Sequence, residues 1–183
     1  MRLLGAVLAG GQSRRFGSDK AVALLDGVSL LEHAVSQLRE VTDEIVVCGH
    51  SSTIAGATSI ADRPHPGLGP LGGLCAALCY AADGEFDAVV SLGCDTPIVP
   101  RALLTKLAAA DDAACLRDLP IIGRWPVTLS GLLTRRLEED DDRSVYAFAA
   151  AAEAHFVDVD VAIPNFNRPT DLARLGKPLA PKG

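Results

Sequence analysis

The sequence predicts a three-layer α/β/α sandwich around a mostly parallel sheet. Two observations carry that expectation. Short apolar runs alternate with amphipathic stretches along the chain, the order that a sheet covered by helices requires. A glycine-rich, basic segment directly follows the first apolar run, where open α/β sheets bind their ligands. At 183 residues the chain suits one domain with one core. A single domain is therefore expected over residues 1–176, with 177–183 as a frayed tail.

The elements follow in order. Leu3 to Leu8 reads as a buried first strand, and the glycine-rich loop comes after it. Ala21 to Leu25 is a short extended piece ending in an Asp26-Gly27 turn. Ser29 and Glu32 have capping-box spacing, which starts a helix that should run to about Arg39. Glu44 to Cys48 is the second core strand and Thr58 to Ala61 a short third one. Gly67 to Gly73 reads as a loop, with a helix from Leu74 to Ala82. Asp87 to Leu92 is a strong strand, and Pro100 opens a helix through Ala110. In the last third, Ala113 to Leu116, Ile121 to Ile122 and Phe156 to Val161 read as strands. Pro126 to Leu137, Ser144 to Ala154 and Asn165 to Leu175 read as helices. The acidic run Glu138 to Asp142 reads as a solvated loop, because like charges repel and stay in water.

Composition excludes several classes. A formal net charge of −6 argues against binding nucleic acid or an anionic membrane. There is no apolar stretch of about 18 residues, the minimum for a membrane span. The first apolar run is too short for a signal peptide and leads straight into Gly10, Gly11, Arg14 and Arg15. A cytoplasmic protein is the expectation. The cysteines, Cys48, Cys75, Cys79, Cys94 and Cys115, are odd in number and form no CxxC pair. They read as buried, reduced thiols. The histidines are scattered without zinc spacing.

Chemistry concentrates in four segments. In Leu8-Ala9-Gly10-Gly11-Gln12-Ser13-Arg14-Arg15-Phe16-Gly17-Ser18-Asp19-Lys20, the paired glycines let backbone N–H groups approach an anion. Arg14, Arg15 and Lys20 add positive charge, so the loop suits a polyphosphate. It lacks the Gly-Lys-Ser/Thr ending of a Walker A loop and the GxGxxG dinucleotide pattern. In Gly93-Cys94-Asp95-Thr96-Pro97, Asp95 stands at the end of a strong strand and offers the hard oxygen ligand that Mg²⁺ prefers. In Asp62 to Leu74, dense glycines before a helix suggest a close backbone approach to a ligand. In Asn165-Phe166-Asn167-Arg168-Pro169-Thr170-Asp171-Leu172, the asparagines suit either capping or binding.

Together these segments resemble the molybdenum cofactor guanylyltransferases and, more loosely, the wider nucleotidyltransferases with a Rossmann-like fold. The first segment is similar to their LAGGxSxRxGxDK signature and Gly69-Pro70-Leu71-Gly72-Gly73 to their GPLAG stretch. Residues 94–97 resemble their metal-binding CDTP motif and residues 165–172 their NxNTPEDL ending, with Arg168 for Thr and Thr170 for Glu. The resemblance implies that Leu8, Ala9, Gly10, Gly11, Lys20, Asp62 and Asp95 bind the nucleotide. It implies that Asp95 holds Mg²⁺, that Arg15, Lys20 and Asp95 are catalytic, and that Asn165 and Asn167 face the second substrate. The implied reaction joins GMP from GTP to the molybdenum cofactor (molybdopterin), with cofactor-delivery or molybdoenzyme proteins as partners.

One departure bears on the base. The second strand of these enzymes often ends in Asn, where Cys48 stands here, and a thiol lacks an amide's paired donor and acceptor. Base reading would then fall to the backbone of Leu8 to Gly10, or to Gln12 or His50. The alternatives are a relative using CTP or another phosphorylated acceptor, and a catalytically silent cofactor-delivery module.

Overall fold

A computed structural model describes residues 1–10, 20–139, 142–166 and 171. The predicted roles of Gly11, Arg15 and Asn167 lie outside these residues, as does most of the predicted last helix. The elements are β1 (Leu3–Leu8), β2 (Leu24–Leu25), β3 (Val28–Ser29), α1 (Leu30–Arg39), β4 (Glu44–Cys48), β5 (Thr58–Ile60) and α2 (Pro70–Asp83). They continue with β6 (Ala88–Gly93), α3 (Arg101–Ala108), β7 (Ala114–Leu116), β8 (Gly123–Pro126), α4 (Ser130–Glu139), α5 (Val145–Ala151) and β9 (His155–Val157).

The main sheet has the order β5-β4-β1-β6-β8-β7-β9. All its described strands point the same way except β8, which runs against β6 and β7. Alternating side chains build a core on each face. Leu3 and Val7 of β1 join Leu31, Val35 and Leu38 of α1 and Leu104 and Leu107 of α3. Leu4, Ala6 and Leu8 join Leu71, Leu74 and Leu78 of α2, Leu133 of α4 and Phe148 of α5. Each fully buried side chain of this size contributes about 1.5–3 kcal/mol, so the two apolar faces hold the sheet between its helices. The three-layer fold is as predicted.

Local signals explain several boundaries. The Ser29 Oγ accepts the Glu32 N–H at 3.2 Å, and Glu32 Oε2 accepts the Ser29 N–H at 3.0 Å, which completes the predicted capping box. Helix α2 begins at Pro70, one turn before the predicted Leu74. Proline suits the first helical position because its fixed φ is helical and its missing N–H is not needed there. Gly72 and Gly73 normally weaken a helix, but here they let it sit against Leu68, Asp62 and Cys48.

Strand β8 replaces the predicted strand at Ile121 and Ile122, which instead form a turn closed by the Ile122 N–H to Leu119 O bond. Its second residue, Arg124, is only 3% exposed. The Arg124 guanidinium donates to the carbonyls of Asp111 (2.7 Å) and Asp112 (3.0 Å), and burial lowers its pKa. Such a strand gives no apolar signal. The last strand, at His155–Val157, is shorter than the Phe156 to Val161 expectation because the chain leaves the sheet after Val157. Among the described residues no helix is long and apolar enough to cross a membrane.

Candidate active site

Four parallel strands end at one level. Leu8 pairs with Cys48 and Gly93, and Cys48 pairs with Ile60. Beyond this edge the Ala9 N–H donates to Cys48 O (3.0 Å), the Gly49 N–H to Ile60 O (3.1 Å) and the Cys94 N–H to Leu8 O (3.2 Å). The register therefore brings Gly10, Gly49, Asp62 and Asp95 out on the same side of the sheet.

Asp62 lies in a cradle of glycines. A Cβ on Gly10 would fall 3.2 Å from Asp62 Oδ2, one on Gly49 2.8 Å from Oδ1, and one on Gly72 3.3 Å from the Asp62 Cβ. A Cβ on Gly73 would fall 2.9 Å from the Cys48 Cβ and 3.5 Å from Asp62 Oδ1. The Arg63 N–H bonds to Gly72 O at 3.1 Å and ties this turn to α2. Within the cradle, Asp62 Oδ1 is buried without a hydrogen-bond partner among the described residues. An orphan acceptor of this kind is costly in the free protein and suits a ligand donor.

Burial also raises the Asp62 carboxyl above its ordinary pKa. A raised folded-state pKa means that the folded state holds the proton more tightly than the unfolded one. The associated stability is fully present below the unfolded carboxyl pKa and is lost as pH rises through the folded value. Asp62→Asn is thus expected to raise the melting temperature of the free protein at pH 7. The gain should shrink as pH falls through the carboxylate range. Thermal melts at pH 7 and pH 4 check this, and an equal gain at both would contradict it.

The other charged group is a pair. Lys20 Nζ lies 3.0 Å from Asp95 Oδ2, joining residues 75 apart in sequence. Asp95 follows β6 in a turn closed by Thr96, whose N–H and Oγ1 both donate to Gly93 O, at 3.1 and 2.8 Å. A side chain at Gly93 would collide with Asp95 Oδ1, so glycine there leaves room for the carboxylate. Gln37 of α1 braces the outer loop: its Nε2 donates to Pro97 O (2.7 Å) and its Oε1 accepts the Val99 N–H (2.6 Å). Phe166 closes the other side, its N–H donating to Asp95 O at 2.9 Å.

Two clefts lined by described residues open at this edge. One, of about 320 Å³, follows β4 and β5 and is lined by Gly49, His50, Ser59, Ile60, Asp62 and neighbouring residues. The other, of about 260 Å³, follows β7 and β9 and is lined by Leu116, Leu119, Val159, Ile163, Asn165 and others. The second is mostly apolar, and Asn165 Oδ1 is buried there without a hydrogen-bond partner among the described residues. Sheet order sets Asp95, after β6, between the two clefts.

The structure thus brings Gly10, Lys20, Asp62, Asp95 and Asn165 to one edge, with Leu8 and Ala9 leading into it. Leu8 itself contributes to the core. Cys48 does not reach the cleft. It is fully buried on the α2 face, where desolvation first and the Asp62 charge second push its thiol pKa up. Gly49, Gln37 and Phe166 were not singled out from the sequence. Gly49 carried a usable signal, a glycine directly after a core strand, as Gly10 does.

A charged pair between clefts, at the carboxyl edge of a mostly parallel sheet, places the candidate site where open α/β domains bind their ligands, and the family match gives the class as nucleotidyltransferase. The MobA-like NTP transferase domain matches residues 5–158, and the chain belongs to that family. It is 38% identical over 186 residues to a molybdenum cofactor guanylyltransferase of Cereibacter sphaeroides, covering 95% of each chain. It is 33% identical over 193 residues to that of Rhizobium johnstonii, covering 93% of this chain and 90% of the relative. Among solved structures, molybdopterin-guanine dinucleotide biosynthesis protein A from Archaeoglobus fulgidus has a TM-score of 0.75 at 23% identity, over 95% of this chain and 96% of its own. The 2-C-methyl-D-erythritol 4-phosphate cytidylyltransferase from Thermus thermophilus has a TM-score of 0.67 at 17% identity, over 94% and 96%. These two share the fold.

Proposed function

We propose that the chain transfers GMP from GTP to the terminal phosphate of the molybdopterin-bound molybdenum cofactor and releases pyrophosphate. The Lys20–Asp95 pair between two clefts is the observation that carries this reading, because the reaction needs two substrates to meet at one charged point. The family and the guanylyltransferase names of its relatives supply the substrates.

In this reading the nucleoside enters the cleft beside Asp62, and Asp62 Oδ1 accepts one of its donors. Backbone groups of Leu8 to Gly10 face the nucleotide, and Gly10 and Gly11 admit its phosphates. The acceptor lies against the apolar cleft, with the Asn165 amide oxygen taking a donor, and Asn167 is a further contact for it in this reading. A phosphate oxygen of the acceptor attacks the α-phosphorus. The bond from that phosphorus to the bridging oxygen breaks, and pyrophosphate leaves with the electron pair. A phosphate nucleophile is already ionised, so positioning and charge neutralisation do most of the work.

Lys20 and Arg15 offset the negative charge that builds on the leaving group. Asp95 is the residue that would hold Mg²⁺, which supplies Lewis-acid neutralisation of phosphate oxygens when bound. The Asp95 carboxylate is a hard oxygen donor of the kind Mg²⁺ takes, since that ion is commonly held by one or two carboxylates together with substrate phosphates and water.

The test is pyrophosphate release by the purified chain. Release should require GTP, Mg²⁺ and the cofactor together. Release without the cofactor, or none with all three, would defeat the reading.

A further inference from the structure

We propose that Phe166 is a positioning residue that sets the Lys20–Asp95 pair by clamping the Lys20 segment to the Asp95 turn. This rests on the reading of that pair as the centre of transfer.

Lys20 and Asp95 sit on separate parts of the fold. Asp95 belongs to the β6 turn, whereas Lys20 begins a 3₁₀ turn, Lys20–Val22, that leads into the β2–β3 hairpin. The two described strands of that hairpin pair only with each other and form their own small sheet, so the main sheet does not fix where Lys20 stands. Instead the Lys20 segment is tied to the start of α1. The Ala23 N–H donates to Lys20 O (3.2 Å), the Leu30 N–H to Ala23 O (2.9 Å), and His33 Nε2 to Leu25 O (2.9 Å).

Phe166 bridges this unit to the acid. Its backbone N–H donates to Asp95 O. Its ring, 2% exposed, packs with Leu25 and Leu30, and with the half-buried Ala23, in a cluster separate from the two main cores. One residue therefore holds the acid's turn through its backbone and the lysine's segment through its ring. Asn165, next in sequence, lines the apolar cleft, so whatever fills that cleft also bears on the clamp. Because the cluster is peripheral, truncating the ring should loosen the pair without dissolving either main core.

The amine reactivity of Lys20 reads this directly and does not depend on the reaction. Wild type, Phe166→Ala and Phe166→Leu are pulse-labelled with an amine-acylating reagent and mapped by mass spectrometry. The exposed Lys106 of α3 serves as internal reference. In Phe166→Ala, Lys20 should label on the order of tenfold faster while Lys106 is unchanged, as expected for a local opening. Phe166→Leu should restore most of the protection, and kcat should fall in the Ala variant and recover in the Leu variant. Unchanged Lys20 labelling in Phe166→Ala, or faster labelling with unchanged kcat, overturns the inference. If the wild type forms no product, the reading of the reaction fails, and the labelling comparison still decides whether Phe166 sets the pair.

Discussion

Asp95→Asn is expected to lower turnover by on the order of 10²–10³-fold while the protein stays folded. Its turn does not depend on the carboxylate. Thr96 closes it onto Gly93 O, Gln37 braces Pro97 and Val99, and Phe166 bonds to the Asp95 carbonyl. Asparagine has nearly the same shape, so those bonds survive the change. The negative charge does not survive. Lys20 loses its partner at 3.0 Å, and the proposed Mg²⁺ loses the carboxylate that the described residues offer it. Removing preorganised charge at a phosphoryl centre affects the transition state more than the ground state, so kcat should fall more than the affinity for GTP. Turnover at saturating GTP and Mg²⁺, with a melt to verify folding, checks this. Near-normal turnover at saturating Mg²⁺ would remove Asp95 from the catalytic role.

Gly49→Ala should be the most damaging single-methyl change at the site. Gly49 has φ +73°, and a Cβ there would lie 2.6 Å from Gly10 Cα, 2.9 Å from Gly10 N and 2.8 Å from Asp62 Oδ1. Two of those neighbours are backbone and cannot swing aside. The left-handed penalty for a non-glycine residue and the overpacking cost together come to roughly 2–5 kcal/mol, a large share of a small domain's stability. The displaced atoms belong to Gly10 and Asp62, so nucleotide affinity should fall too. Gly67→Ala is the control, because Gly67 has φ +87° but open space around its Cβ position. It meets the backbone penalty without the collision. Urea unfolding midpoints and GTP titrations of both variants decide it. Equal losses at the two positions would show that the close approach of Gly10, Gly49 and Asp62 contributes nothing.

Much of this fold is legible in the sequence because its signals are local. The apolar runs Leu3–Leu8 and Glu44–Cys48 and the Ser29–Glu32 box concern residues that act within a few positions of one another. The end-of-strand placement of Gly10 and Asp95 follows from the same local reading. What stayed hidden depends on distant partners. Strand β8 carries a buried Arg124 satisfied by carbonyls of Asp111 and Asp112, an arrangement no apolar pattern can announce. The first turn of α2 contains two glycines that only packing against Asp62 and Cys48 justifies.

Cys48 shows the same limit at the site. A run such as EIVVC marks a strand but not which face each residue takes. In the structure Val46 and Cys48 face α2, whereas Ile45 and Val47 face α1. The side chain at position 48 is therefore spent on packing. The polar side chains that line this cleft include His50, Ser51, Ser59 and Asp62. A hydrogen-bonding cleft can still select strongly, since a wrong base leaves buried polar groups unpaired at ~1–3 kcal/mol each.

Competition among nucleotides tests the account most directly. The purified chain is given the molybdenum cofactor, Mg²⁺ and equal amounts of GTP, CTP, ATP and UTP, and the dinucleotide products are separated by mass. The account predicts that the guanine dinucleotide predominates and that pyrophosphate forms in equal amount. A predominantly cytosine product, or no dinucleotide of any base, would contradict it.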